Sequence, residues 1–179
     1  MIIFDLDGCL ANCEHRRHFV DPSTNPDYVK WHWYTQGDLN FEWVHKDTRE
    51  KWEPNWPAFY EACDNDKPII ATMHLLISLW FREGEDVQIW SGRSESVRGK
   101  TEKWLSENIF NSGIDPCKLK MRPIGDTTPD DVLKELWLDE AIATGNKIDF
   151  VFDDRPKVIR MWQRRGIFVF NCAQSDKEF

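Results

Sequence analysis

No apolar run in the sequence reaches membrane-spanning length, and no basic segment with an apolar stretch behind it precedes the first strand-like residues. A membrane-embedded or exported protein is therefore not expected, and a soluble cytoplasmic one is. There is no C-x-x-C pair, and the five cysteines (Cys9, Cys13, Cys63, Cys117 and Cys172) are odd in number, which argues against a disulfide framework and for a reducing compartment. Cys9, Cys13, His15 and His18 lie close together, but C-x3-C-x-H-x2-H is not a standard zinc spacing. Positive charge is not in excess either, since 23 basic against 31 acidic residues give −8. That balance excludes a protein that coats long nucleic acid, whose affinity comes from neutralising phosphates, and leaves a strand end, a nick or a mononucleotide as possible ligands. Internal repeats and low-complexity tracts are absent. At 179 residues the chain has room for one well-buried domain with a small insertion, not for two full domains.

What is present is concentrated in the first thirteen residues. Met1, Ile2, Ile3 and Phe4 form a short apolar run that reads as a buried parallel strand. It ends in Asp5-Leu6-Asp7-Gly8. Side chains alternate along a strand, so Asp5 and Asp7 can face the same side as the chain leaves the sheet, and Gly8 permits a sharp turn. Two carboxylates held that closely require a cation or a proton between them, and hard oxygen ligands suit Mg²⁺. In isolation D-x-D-G is equally well read as a polar turn whose aspartates bond the backbone.

Residues 12–66 read as an insertion rich in tryptophan (Trp31, Trp33, Trp43, Trp52, Trp56), with no 3.6 or 2.0 period across 20–53 and a short helix opened by Asn55-Trp56-Pro57. Directly following the acidic turn, it is placed to form a cap whose aromatics mostly pack and in one or two cases could stack on a base. From residue 67 strand and helix alternate. The spacing predicts a helix from Pro68 to Glu83, a strand over Asp86–Trp90 running into Ser91-Gly92-Arg93-Ser94, and a helix over about Glu95–Ile109 whose amino end faces any anion held at Ser91. A strand over Lys118–Arg122 is followed by a helix to Gly145, started by Thr128 as cap with Pro129 in the first turn. A strand over Ile148–Phe152 ends in Asp153-Asp154-Arg155, and a helix over Pro156–Arg165 hands over to a strand over Ile167–Phe170. This alternation means an α/β fold, a doubly wound, three-layer parallel sheet with residues 1–11 and 67–179 as its core.

Three strands thus end in small polar or acidic groups: Asp5 and Asp7, then Ser91, then Asp153 and Asp154. A doubly wound sheet brings such ends to one edge. Together they offer what phosphoryl transfer needs, namely a carboxylate nucleophile, metal ligands, a hydroxyl for a phosphate oxygen, and cations, for which Arg93 and Lys134 are the candidates.

In order and spacing, Asp5-Leu6-Asp7-Gly8, Ser91-Gly92-Arg93, the Gly125 to Lys134 stretch and Asp153-Asp154-Arg155 resemble the four motifs of the haloacid dehalogenase superfamily. Met121 to Met161 and Trp162 to Asn171 are similar to the 3′-phosphatase domain of bacteriophage polynucleotide kinase/phosphatase. The resemblance implies a Rossmann-like core and a Mg²⁺-dependent phosphomonoesterase that works through an aspartyl-phosphate. It makes Asp5 the nucleophile and Asp7 the general acid, then base. Ser91 and Lys134 hold the transferring group, and Gly92, Arg93 and Arg155 contact phosphate or substrate, Arg93 in a fork that lysine cannot reproduce. Metal binding falls to Asp5, Asp7 (through its backbone carbonyl), Asp153 and Asp154.

The sequence departs from that pattern in three places. It has no G-x-x-x-x-G-K-[ST] loop, so a kinase half is not expected in this chain. Cys9 stands where the first motif often has threonine, and Thr128 where the subgroup often has a basic residue. The expected substrate is a nucleic-acid 3′ end or a nucleotide, with a 5′-nucleotidase for mononucleotides as the alternative. A phospho-accepting regulatory domain fits less well because Asp7, two residues beyond the acceptor, promotes hydrolysis of the acyl-phosphate. A catalytically dead end-binding module is disfavoured because every motif position is filled. Arg16-Arg17, Lys118-Lys120-Arg122 and Arg160-Arg164-Arg165 either guide a polymer or are solvated faces.

Overall fold

In the computed structural model the described residues are 1–27, 30–36, 40–83, 86–109 and 118–173, with backbone alone for 31–36 and 40–42. The elements in chain order are β1 (Ile2–Phe4), β2 (Ala11–Asn12), β3 (Trp31–Gln36), β4 (Asn40–His45), α1 (Trp56–Glu61), β5 (Lys67–Pro68), α2 (Ile70–Glu83), β6 (Val87–Ser94), α3 (Arg98–Asn108), β7 (Lys118–Arg122), α4 (Asp130–Ala143), β8 (Phe150–Asp153), α5 (Pro156–Arg164) and β9 (Phe168–Asn171). The chain divides into two compact units, one of Met1–Asn12 with Asp64–Glu178, the other of Cys13–Cys63.

The larger unit is built on a five-stranded sheet in the order β7-β6-β1-β8-β9, every pair parallel. This is the predicted doubly wound sheet. Successive residues of β1 feed opposite layers, Ile2 and Phe4 one side, Met1 and Ile3 the other. The first layer is closed by Leu76 of α2 and by Trp104 and Leu105 of α3. The second is closed by Leu133, Trp137 and Leu138 of α4 and Val158, Met161 and Trp162 of α5. On α5 the buried Val158, Ile159, Met161 and Trp162 alternate with exposed Lys157, Arg160 and Gln163, the spacing of a one-sided helix. Truncating Trp162 to alanine would remove about 3–5 kcal/mol of packing. Phe4, Phe152 and Phe170 stack ring on ring across β1, β8 and β9, at centroid distances of 4.2 and 4.8 Å, and pin the register of that half of the sheet.

Several boundaries differ from the sequence expectation for local reasons. Lys67 and Pro68 do not begin α2, because they pair antiparallel with Ala11–Asn12, so the helix starts at Ile70. The chain therefore leaves the core and returns to it side by side. Leu76 is the one α2 residue of the predicted apolar stripe that is fully buried, while Ile70 is half exposed. The strand expected to stop at Trp90 runs on to Ser94 with a shift of register between Ser91 and Ser94. The helix expected from Glu95 opens as a 3₁₀ turn, Glu95–Val97, capped by the Ser94 hydroxyl, which accepts from the Ser96 N–H at 3.2 Å. One N–H of the amino end predicted to face an anion, that of Ser96, is thus already partnered. Pro129, not Thr128, stands at the cap of α4.

In the smaller unit, residues 20–53 are not irregular throughout, since β3 and β4 form an antiparallel hairpin from Trp31↔His45 to Gln36↔Asn40. Arg16 is fully buried there, with its guanidinium 4.0 Å above the Phe59 ring and Nη1 donating to the Phe59 carbonyl at 3.1 Å. As expected, Asn55 caps α1, its side chain accepting from the Ala58 N–H at 3.1 Å. The side chains of Trp31 and Trp33 lie outside the described residues. No helix among the described residues is long and apolar enough to cross a membrane.

Candidate active site

The strand order reverses between β1 and β8, and an open α/β sheet holds its ligands at the carboxyl ends on either side of that point. Asp5 leaves β1 there, and its N–H donates to the Phe152 carbonyl at 2.8 Å, which keeps the turn in register with β8. Asp153 closes β8. Lys134, in the first turns of α4, is buried between them, with Nζ donating to Asp5 Oδ1 at 2.6 Å and to Asp153 Oδ2 at 2.8 Å. Asp153 also accepts from Trp162 Nε1 at 3.3 Å and from the Arg155 N–H at 3.2 Å, so its orientation is fixed from three sides.

Asp154 completes the set. Oxygens of Asp5, Asp153 and Asp154 lie within 4.8 Å of one another, and the buried Asp154 Oδ1 has no hydrogen-bond partner. Desolvation by burial pushes Asp5 up to about 6, against the attraction of Lys134 and with the repulsion of Asp153. Asp154 is raised further, to about 9, by burial and then by the charges of Asp5 and Asp153. Burial lowers the Lys134 ammonium's affinity for its proton, but its two carboxylate partners more than reverse that and hold it charged. Three carboxylates with one cation, one oxygen unsatisfied and two protonation equilibria displaced upward fit a hard divalent cation such as Mg²⁺. Gly8 admits Asp154 to this cluster. Its φ is +82°, and a Cβ there would lie 1.9 Å from Asp154 Oδ2, so no side chain fits.

Asp7 is held apart from the cluster. Arg93 donates to it from Nε at 3.0 and 3.1 Å and from Nη2 at 2.5 Å. The Arg93 guanidinium is fully buried, also donating to Asp66 Oδ2 at 2.5 Å and to Thr101 Oγ1 at 3.4 Å. The fork predicted to meet a phosphate therefore meets carboxylates, since a buried guanidinium first satisfies the charges beside it. Asp66 escaped sequence reasoning because it sits in no motif; its side chain is fully buried on Arg93, and its carbonyl accepts from Trp104 Nε1 at 2.7 Å.

Ser91 is fully buried at the start of the register shift, its Oγ accepting from the Arg93 N–H at 3.2 Å. Gly92 lies against Asp130, whose Oδ1 would be 2.7 Å from an added Cβ. Asp130 accepts from Arg122 and pairs with Arg155, while Arg122 Nε donates to the Gly92 carbonyl at 2.9 Å. Arg155, predicted to contact substrate, is thus tied to the start of α4. Several of the basic residues proposed to guide a polymer are paired too: Lys120 with Glu140, Arg164 and Arg165 with Glu135, Arg165 with Asp139, and in the smaller unit Arg17 with Glu14 and Asp21. Among the described residues the metal-capable group is the Asp5, Asp153 and Asp154 set, and Cys9 of the cysteine and histidine cluster instead has its Sγ 3.3 Å from that of Cys172.

Residues 44–177 match the family described as the polynucleotide kinase PNKP phosphatase domain. The chain belongs to this family. A PNKP-type phosphatase domain of the haloacid dehalogenase superfamily accounts for the parallel sheet and for small polar or acidic residues at three strand ends. Across 90 residues the domain is 41% identical to a protein of Autographa californica nuclear polyhedrosis virus named as a bifunctional polynucleotide kinase/RNA ligase. That match covers 50% of this chain and 12% of the viral protein. Chains in two structures of a Pnkp1/Rnl/Hen1 complex, one described as an RNA repair complex, share its fold with TM-scores of 0.65 and 0.62 at 22% identity. These alignments cover 98% of the domain but 46% and 43% of the matched chains, so the domain spans less than half the length of those relatives.

Proposed function

We propose that this phosphatase removes a 3′-phosphate from nucleic-acid ends through an aspartyl-phosphate on Asp5. The observation that carries the reading is the separation of two carboxylates two residues apart: Asp5 lies with Lys134, Asp153 and Asp154, while Asp7 is held by Arg93. The lysine beside Asp5 supports a nucleophilic role for it, and the separate arginine partner of Asp7 supports a distinct role in moving a proton.

Asp5 attacks phosphorus as the bond to the leaving oxygen breaks, and the Asp7 carboxyl gives its proton to that oxygen. Asp7, now a carboxylate, takes a proton from water, which attacks the phosphorus of the acyl-phosphate, releases inorganic phosphate and restores Asp5. Lys134 offsets charge on Asp5 and the transferring group, Ser91 donates to a phosphate oxygen, and Arg93 orients Asp7. Asp5, Asp153, Asp154 and the Asp7 carbonyl would hold Mg²⁺, which when bound neutralises charge on the phosphoryl oxygens. The unit inserted between Asn12 and Asp64 serves as a lid or strand clamp, a role supported by its attachment directly after the acidic turn. Pairing of the basic residues supports recognition of an end over coating of a strand, and keeps mononucleotides as a second substrate class.

Phosphate release with Mg²⁺ from a 3′-phosphorylated oligonucleotide, the same strand 5′-phosphorylated, and 3′- and 5′-mononucleotides tests the reading. Preference for the 3′-phosphorylated strand is expected, and preference for a 5′-mononucleotide overturns it. Asp5→Asn should lower turnover at least about a thousandfold with the fold intact, since Asn cannot form the acyl-phosphate.

A further inference from the structure

Cys9 follows the acidic turn directly, is fully buried, and has no part in the chemistry above. Its Sγ lies 3.3 Å from that of half-buried Cys172, 163 residues along the chain. We propose that Cys9 and Cys172 form a reversible disulfide that slows the phosphatase, with a peroxide as the oxidant.

Both cysteines are one hydrogen bond from the site. The Cys9 N–H donates to the Leu6 carbonyl at 3.3 Å and its carbonyl accepts from Thr72 Oγ1, which together hold the turn that carries Asp5, Asp7 and Gly8. The Cys172 N–H donates to the Asp153 carbonyl at 2.9 Å. Bond formation draws sulfurs at 3.3 Å to about 2.05 Å, pulling the turn toward the end of β9. A glycine whose Cα already lies against Asp154 leaves that turn little room to follow, so the shift reaches the carboxylates. Displacements near 1 Å at reacting groups cost on the order of a hundredfold in rate.

The chemistry balances with one peroxide per pair. The Cys172 sulfur, the more accessible, attacks a peroxide oxygen, the O–O bond breaks, and hydroxide leaves to take up the thiol proton as water, giving a sulfenic acid. The Cys9 sulfur then attacks the Cys172 sulfur, the S–O bond breaks, and a second water leaves with the Cys9 proton. Two thiols are oxidised and one hydrogen peroxide is reduced to two waters.

The test treats the intact protein with hydrogen peroxide, maps its peptides without reductant and follows phosphate release before and after dithiothreitol. The expected result is a Cys9–Cys172 linked peptide lighter by two hydrogens, turnover lower by about tenfold or more, and recovery with reductant. Cys172→Ser, and separately Cys172→Ala, should be active when reduced and indifferent to the same dose. Absence of the linked peptide overturns the proposal, as does linkage with unchanged turnover or equal peroxide sensitivity in both variants. The activity arm rests on the phosphatase reading. An inactive reduced protein counts against that reading, whereas the linked peptide alone decides the bond.

Discussion

Asp66 works at one remove from the chemistry. Its carboxylate shares Arg93 Nη2 with Asp7, each at 2.5 Å, so removing Asp66 takes one carboxylate partner from a buried guanidinium. The Arg93 head then turns further toward Asp7, opposing release of the Asp7 carboxylate for proton transfer. Asp66→Ala should destabilise the protein by about 3–5 kcal/mol as a broken buried pair and lower turnover by about 10- to 100-fold. Asp66→Asn keeps a hydrogen-bond acceptor and should recover part of both. A purely structural role predicts a lower melting temperature with an unchanged pH–rate profile, whereas a role through Asp7 moves the acid-side limb of that profile.

Among the elements, β6 shows most plainly what sequence can and cannot say. Val87, Ile89 and Trp90 announced a buried strand, and Ser91-Gly92-Arg93 announced a polar strand end, because both are local patterns. The shift of register between Ser91 and Ser94 was not legible, since it depends on β7 and on Arg122 reaching back to the Gly92 carbonyl from another strand. The same holds for Asp130, which reads as a helix-start acid and proves to be the joint where Arg122 and Arg155 meet. Motif residues Asp5, Asp153 and Lys134 converge as their order along the sheet implied, because topology places them there. Long-range partners such as Asp66 and Cys172 have no periodic signature to find. The β3–β4 hairpin escaped for another reason, as Trp31-His32-Trp33-Tyr34 puts aromatic or amphipathic residues at successive positions and blurs the two-residue alternation of a strand. Arg122→Ala should cost about 1–3 kcal/mol in stability by taking one donor from the Gly92 carbonyl and one from Asp130, which keeps Arg155. It should also raise KM for a phosphorylated substrate more than it lowers kcat, because the turn after Ser91 loses its brace; equal effects on both would place Arg122 outside substrate binding.

At the scale of the whole molecule the acidic cluster links stability to pH and to metal. Asp5 and Asp154 have an ordinary value of 3.8 and are raised in the fold to about 6 and about 9. Over the window from about pH 4 to about pH 9 the folded chain therefore binds more protons than the unfolded one, and stability without metal falls as pH rises through it. A divalent cation bound among these carboxylates would replace those protons. Thermal unfolding should show a melting temperature that declines from about pH 5 to about pH 8.5 without metal, and a Mg²⁺-induced increase that grows over the same range. A Mg²⁺ effect independent of pH would place the cation away from these carboxylates.

β1 carries Asp5 from the first residues of the chain, but its neighbour β8 pairs Ile2 with Phe150 and Phe4 with Phe152. This partner of β1 is thus made long after β1 itself. During synthesis Asp5 and Asp7 emerge long before Lys134, Asp153 and Asp154, and β1 can pair with β6, itself paired with β7, while its other edge still waits for β8. A fragment ending before β8 holds Asp5 and Asp7 without Asp153 and Asp154. The grouping of Asp5 with Lys134, Asp153 and Asp154 thus waits on the joining of β8 to β1, so the fold delays assembly of the cluster until a late strand has docked on an early one.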